Sequence, residues 1–459
     1  MSASLILAGL LLGAAAHLAL FLAPRKLHPL FLVAGMFFVI APTSLAGELA
    51  LCRVAKYARV YCTVLIVLWG YFGFRVAKLG PASKALLGFA LVYILAACWS
   101  DAALRGLLYK SFFGFAALAG LVLAHVVRHR RELVHGLRFI SLVAALTGVV
   151  AFVYFIRNPG ASTVQGRMAV FGMSANLVGV TAAPLLVFCA HLALYDREKK
   201  WRVVGYAVCG LMVVIIIHSG SRAALALAGF GGFAVALPMI RQPIKLAAVL
   251  LFAFVFLEVA LSRIESPAAD RITSFDTENR QSGWRRCWRE FGKSPLVGRG
   301  WAYVPWRHTT ANYHNMYLQT LVEVGMLGGA ALGLAVVVIV LCGLKTFFLM
   351  RSYPEFANLT GLPLALAYGV LLHGIAESCT LMGTTLTTFC LGLGVGLIDR
   401  LPLLLADDIR RLRLIHAIRY RALLATSGAA NAVPAGLTAC LESPPGHVTP
   451  DTVHAFSAG

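Results

Sequence analysis

Apolar runs of about the length needed to cross a bilayer, joined by short polar connectors, make up most of this chain. They fall near residues 4–23, 29–46, 58–74, 84–99, 107–127, 138–156, 174–195, 202–218, 222–240, 243–262, 316–349, 358–377 and 380–398, thirteen in all. No stretch sustains the alternation of apolar and polar positions that a transmembrane barrel needs, so the predicted fold is an all-α polytopic membrane protein. The pattern breaks at length only once, between about Arg263 and His314. That interval reads RIESPAADRITSFDTENRQSGWRRCWREFGKSPLVGRGWAYVPWRHTTANYH, and its many arginines outnumber its few acids. A polar excursion of this size is where chemistry on a water-soluble group can take place, and its charge asks for an anionic partner. After about Ala406 the segment ADDIRRLRLIHAIRYRALL reads as an amphipathic helix on the membrane surface. The predicted organisation is therefore a membrane domain over 1–405 containing the long loop 263–313, a surface helix over 406–425 in contact with membrane lipids, and a disordered tail over 426–459.

Composition agrees with this plan: 59% of the residues are hydrophobic and 13% are charged, so no attached soluble catalytic domain is expected. The net charge of +21 would point to nucleic acid in a soluble chain. Here much of it sits in the connectors RHRRELVHGLR, YDREKKWR and RQPIK and the terminal RRLRLIHAIRYR, where the tendency of basic connectors to remain cytoplasmic accounts for it without a nucleic-acid partner. The long loop then faces outward, with WSDAALRG, RNPGASTVQGRMAVFG and the short turn HSGSR on the same side. Thirteen spans put the N-terminus outside and make CRVAKYAR an oddly basic outer connector, so twelve spans with both ends inside are equally open. The first run lacks a basic leader and a small-residue cleavage site, and reads as a retained span. Of the ten cysteines, Cys98, Cys189, Cys209 and Cys342 lie within apolar runs as small hydrophobes, and no spacing forms a disulfide or zinc framework. Glycines in AGFGG and LGLGVG fit close helix packing in lipid.

Three residues on the outward side stand out. His314, in NYHNMYLQTLVEVG, lies where the loop turns into a span, near a helix N-terminus whose dipole favours a neutral imidazole, so it suits a general base or serves as an interfacial cap. Arg222 follows the break at Gly220 and the capping residue Ser221, where free backbone N–H groups and a guanidinium together can hold phosphate oxygens, or the side chain snorkels to the interface. Arg280 opens a short amphipathic helix with Trp284 and Trp288 four residues apart, read as an element with tryptophans on one face and arginines on the other. Arg285, Arg286 and Arg289 belong to its generic basic face, with a weaker part in binding pyrophosphate or glycan. Asp101, Arg157 and Arg167 lie in outer connectors, positioned to contact a polar substrate or simply solvated, and Asn176, after an outer loop, is a weaker candidate for substrate contact. Glu258, His373 and Glu377, the last two at helical spacing, form either a proton relay or structural glue within the membrane. With no Asp-x-Asp pair outside, no His/Glu cluster at metal spacing and no Gly-rich phosphate loop, neither metal-dependent transfer nor nucleotide use is expected. Arginine would replace the cation.

These motifs, in this order, resemble the O-antigen ligase and polymerase superfamily: SGSRAAL at a late outer turn, NR with R-x-x-x-W and SPLVGRGW downstream, then YHNMYLQTLVEVG opening the next span. The element at Trp99 to Asp101 and Asn176 look like earlier regions of that family. The resemblance covers most of residues 85–400 and is strongest to the O-antigen ligases. It implies about twelve spans in an architecture similar to GT-C glycosyltransferases, and a bacterial inner-membrane location with the active site facing the periplasm. It also implies inverting transfer of a polysaccharide from undecaprenyl pyrophosphate to lipid A–core without metal or cofactor, with roles carried onto Arg222, Arg280 and His314. A polymerase, a protein O-oligosaccharyltransferase and, from another class, a polyisoprenoid-linked glycan transporter remain alternatives. A transporter predicts two related halves with interrupted helices at matching positions, and none is evident in the sequence.

Overall fold

The computed structural model describes residues 79–426 except 101–102, 128, 171–173, 264–266, 269–271, 273–277, 301–312, 379–380 and 382–384, together with Thr63, Ile66 and Val67. The predicted runs at 4–23 and 29–46, nearly all of 58–74, and the tail from 427 lie outside the described residues. The helices that follow are α1 (Pro81–Leu95, continued by a 3-10 turn Ala96–Trp99), α2 (Ala103–Val126), α3 (Arg130–Arg157), α4 (Ala175–Tyr195), α5 (Lys199–Ser219) and α6 (Arg222–Ala236). After them come α7 (Pro243–Arg263), α8 (Glu278–Phe291), α9 (Met316–Arg351), α10 (Gly361–Ala376) and α11 (Leu386–Thr426). Among the described residues eight helices are long and apolar enough to cross a membrane, and α10 is a shorter apolar helix. The chain is a multi-pass membrane protein.

Local chemistry sets several of the boundaries. Ser174 and Asn315 accept hydrogen bonds from Leu177 N–H (3.3 Å) and Leu318 N–H (2.9 Å), capping α4 and α9. Gly220, in the left-handed region at φ 58°, ends α5 and lets the chain reverse into α6 within two residues. The predicted run at 316–349 becomes α9, which contains non-helical backbone at Gly325 (φ 69°, ψ −162°). No separate helix begins at 406, because the sequence carries no break there and α11 continues through it, with Pro402 inside the helix.

Burial separates the centre from the lipid face. In α4, 83% of the spanning window is enclosed, against 28% in α9. Around α4 pack α3, α5, α6 and α10, while α9 packs on α1 and α8. Leu142, Leu146, Val149 and Val153 on α3, and Leu334, Val337, Leu341 and Phe348 on α9, are exposed. Apolar side chains left outside on spanning helices are the surface that lipid covers.

One connector departs from the all-helical expectation. Thr163–Val164 and Arg167–Met168 pair antiparallel as a hairpin, β1 and β2, with Gln165 and Gly166 both at positive φ. A backbone outside any helix needs another partner for its N–H and C=O groups, and two positive-φ residues make the turn whose twist suits a two-residue hairpin. The hairpin, the α5–α6 turn, α8, the start of α9 and the end of α10 lie at one end of the bundle. At the other end Arg138 donates to both oxygens of Asp196 (2.8 and 2.7 Å) and pairs with Glu198 at 2.7 Å. Partial burial pushes the Asp196 carboxyl up, but the Arg138 hydrogen bonds outweigh it and hold the group below the usual range. The chain divides into two compact units at 400/401, and the described part of the second is the last stretch of α11.

Candidate functional site

Glu377 is the point at which the site residues meet. α10 ends at Ala376, and Glu377 follows with extended backbone (φ −149°, ψ 147°) while its N–H still bonds to the His373 carbonyl. That turn carries its carboxylate away from the helical register, so the predicted pairing of His373 with Glu377 does not form. Instead Glu377 Oε2 lies 2.9 Å from His314 Nδ1, and Oε1 accepts a hydrogen bond from Asn176 Nδ2 at 3.0 Å. The Arg280 guanidinium approaches Oε1 at 3.9 Å. Behind Asn176, Arg167 donates to Asn176 Oδ1 (2.6 Å) and, through Nε, to the Ser219 carbonyl (2.8 Å). Arg167, expected as a solvated loop residue, is 9% exposed. The hairpin turns it inward.

His314 occupies the left-handed region at φ 49°, which non-glycine residues rarely adopt. Its neighbours hold it there: Asn315 caps α9 and also donates to the Ile375 carbonyl at 2.9 Å. Tyr313 is buried against Cys287 of α8 and Val322 of α9, with Phe291 and Leu318 packed alongside. Burial pushes both the Tyr313 hydroxyl and the Cys287 thiol to about 12, so this junction is neutral packing. It joins the helix that carries Arg280 to the helix that His314 precedes.

The hydrogen-bond inventory assigns the imidazole. An ionised carboxylate only accepts, so in this contact a neutral His314 carries its proton on Nδ1 and keeps its lone pair on Nε2. Second-sphere contacts of this kind orient a ring and settle its tautomer. Among the described residues of this cluster, the guanidinium groups of Arg167 and Arg280 stand against one carboxylate, Glu377, a balance that favours a nearby anion. Among the described residues no group of three His, Cys, Asp or Glu side chains could hold a metal ion.

The other predicted residues are distributed unevenly. Arg222 is the half-buried first residue of α6, after the Ser221 cap and the turn whose Ser219 carbonyl Arg167 holds. On α8, Arg280, Trp284 and Cys287 lie inward, whereas Arg285, Trp288 and Arg289 share an exposed face. The two tryptophans lie one turn apart on the same side of the helix, Trp284 half-buried and Trp288 exposed. Arg286 is half-buried and Glu258 is exposed on α7. Asp101 lies outside the described residues.

Comparison with protein families matches residues 207–333 to the Wzy_C family, O-antigen ligase. The matched stretch contains Arg222, Arg280 and His314, whereas Arg167, Asn176 and Glu377 lie outside it. No curated protein matches the chain.

Proposed function

We propose that this chain, whose residues 207–333 match the O-antigen ligase family model, is a membrane glycosyltransferase that moves O-antigen polysaccharide from undecaprenyl pyrophosphate to lipid A–core oligosaccharide. The observation that carries the reading is the convergence of His314, Arg280 and, through Asn176, Arg167 on Glu377. A sugar hydroxyl of the acceptor attacks the anomeric carbon of the donor while the bond from that carbon to the pyrophosphate oxygen breaks, and the configuration inverts. The hydroxyl proton passes to His314 Nε2, whose lone pair the Glu377 contact leaves available. Negative charge gathers on the departing undecaprenyl pyrophosphate. Arg280 and Arg222 stabilise it, the second from its place at the N-terminus of α6, where the helix dipole favours negative charge. Fixed guanidinium groups need little reorganisation as that charge develops, which suits transfer without metal, cofactor or nucleotide.

The basic connectors lie at the bundle end opposite the site, in keeping with an inner-membrane protein whose site faces the periplasm. The test uses purified protein in proteoliposomes with undecaprenyl-pyrophosphate-linked glycan and either lipid A–core or a second lipid-linked glycan as acceptor. Glycan joined to lipid A–core with chelator present is the expected product. His314→Ala and Arg222→Ala should each lower its rate roughly 10²-fold or more. Product formed only on the second lipid-linked glycan would make the protein a polymerase, and no covalent product with either acceptor would end the glycosyltransferase reading.

A further inference from the structure

α9 is broken at Gly325, and a loop fills the break. At this point helical hydrogen bonding gives way to four bonds with the segment after α8. Arg299 N–H donates to Val322 O (2.9 Å), Gly300 N–H to Glu323 O (3.0 Å), Met326 N–H to Pro295 O (2.8 Å) and Leu327 N–H to Leu296 O (3.2 Å). Contact is close enough that a Cβ on Gly298 would overlap the backbone at Glu323–Gly325, and one on Gly325 would overlap the Leu296 carbonyl. Glu290 near the end of α8 holds the same loop by pairing with Arg299 at 2.9 Å, and Trp99 Nε1–H donates to the Val297 carbonyl at 2.8 Å. α8, with Arg280, is thereby tied to the first segment of α9, with His314.

That segment, Met316–Val324, is separated by the break from the rest of α9 and needs its own anchor. Glu323 supplies one. Its Oε2 lies 3.3 Å from Lys110 Nζ on α2, with both side chains 1% exposed. Tyr93 of α1 donates to the same oxygen at 3.0 Å, and Gln319 donates to Oε1 at 2.8 Å. Lys110 also stands over the Tyr93 ring, 4.3 Å from its centre, and Phe89 and Phe113 pack around that ring. A buried ion pair costs two desolvations, and an apolar pair of similar volume often stabilises a fold as well or better. What the ion pair adds is a defined geometry: Gln319, in the same segment, orients the Glu323 carboxylate, and Lys110 and Tyr93 hold its Oε2 from two other helices.

We propose that Lys110 and Glu323 are positioning residues that fix the first segment of α9, and through the stitched loop α8, so that His314 and Arg280 keep the spacing the transfer reaction needs. This rests on the glycosyl-transfer reading of the site. A pair that only held the fold together would change the amount of folded protein, whereas a positioning pair changes turnover at constant fold, because displacement of a reacting group by about 1 Å can cost on the order of 10²-fold.

The experiment compares wild type with Lys110→Met/Glu323→Met, which removes both charges at similar volume, and with Tyr93→Phe, which removes only the hydroxyl on Glu323. Folded yield, thermal midpoint, kcat and the KM for donor are measured in proteoliposomes. The double variant is expected to fold like wild type with kcat lower by on the order of 10²-fold and little change in donor KM. Tyr93→Phe is expected to lose about 10-fold in kcat. Wild-type kcat in the folded double variant overturns the positioning role while the transferase reading stands. Should the double variant fail to fold, unchanged kcat in Tyr93→Phe overturns it instead. If wild type itself transfers no glycan, the transferase reading fails first, and this proposal with it.

Discussion

Replacing Glu377 with glutamine tests the centre of the site with little change in shape. Glu377 is 4% exposed and its carboxylate offers one oxygen to His314 Nδ1 and the other to Asn176 Nδ2. Glutamine has one carbonyl oxygen and one NH2, so it cannot accept at both of the positions the two carboxylate oxygens occupy. If its oxygen faces Asn176, its NH2 faces His314 and favours the other imidazole tautomer, with Nε2 protonated and unable to take the acceptor proton. If its oxygen faces His314, Asn176 must turn its amide, and the acceptor for Arg167 is lost. Either arrangement gives up a hydrogen bond to a charged group, about 1.5–3 kcal/mol, equivalent to roughly 10- to 100-fold in rate. Glycan transfer by purified Glu377→Gln should therefore show kcat lower by that factor at wild-type folded yield, with Glu377→Asp recovering part of it. Since the contact acts on proton transfer, the loss should fall on kcat more than on donor KM. A Glu377→Gln protein that turns over at the wild-type rate would falsify the assignment of His314 as a base oriented by this carboxylate.

On α8 only the inward arginine should matter strongly: Arg280→Gln lowers transfer roughly 10²-fold, while Arg285→Gln and Arg289→Gln on the exposed face stay within about threefold. A steady-state comparison of the three variants decides it, and equal losses would refute the division of faces. Arg167→Lys keeps the charge but loses the fork that reaches Ser219 and Asn176 together, so activity should drop by about 10-fold or more despite conserved charge. Full activity in Arg167→Lys would show that charge alone suffices there. Cys287 should resist maleimide in the folded protein at pH 7 to 9, since burial encloses the thiol and raises it to about 12. Peptide mapping by mass spectrometry should find it labelled rapidly only after denaturation. Rapid labelling under native conditions would mean that the packing of α8 on α9 is looser than described.

The residues of the site differ in how visible they were in the chain. Arg222 and His314 are legible because each stands at a boundary marked by local signals, a glycine and serine before the first and a capping asparagine after the second. Arg280 was legible as part of a basic helix but not as its one arginine near Glu377, because packing against α9 sets that helix's rotation. Glu377 is separated from its partners by 63 residues from His314 and 201 from Asn176. Its helical spacing from His373 pointed to a pairing that the end of α10 at Ala376 prevents. Arg167 looked like a solvated connector residue because a two-residue hairpin leaves little trace in an alternation pattern.

Sequence alone determined the membrane class, the helical fold, the position of most spans and the polar interval before His314, because these follow from the cost of leaving backbone or charge unpaired in lipid. Tertiary structure decided which of many polar residues meet: the carboxylate shared by His314 and Asn176, and the Lys110–Glu323 pair beside the break in α9. Those contacts depend on where helices end, how they rotate and which loop enters a gap, and such choices are made by packing among elements distant along the chain.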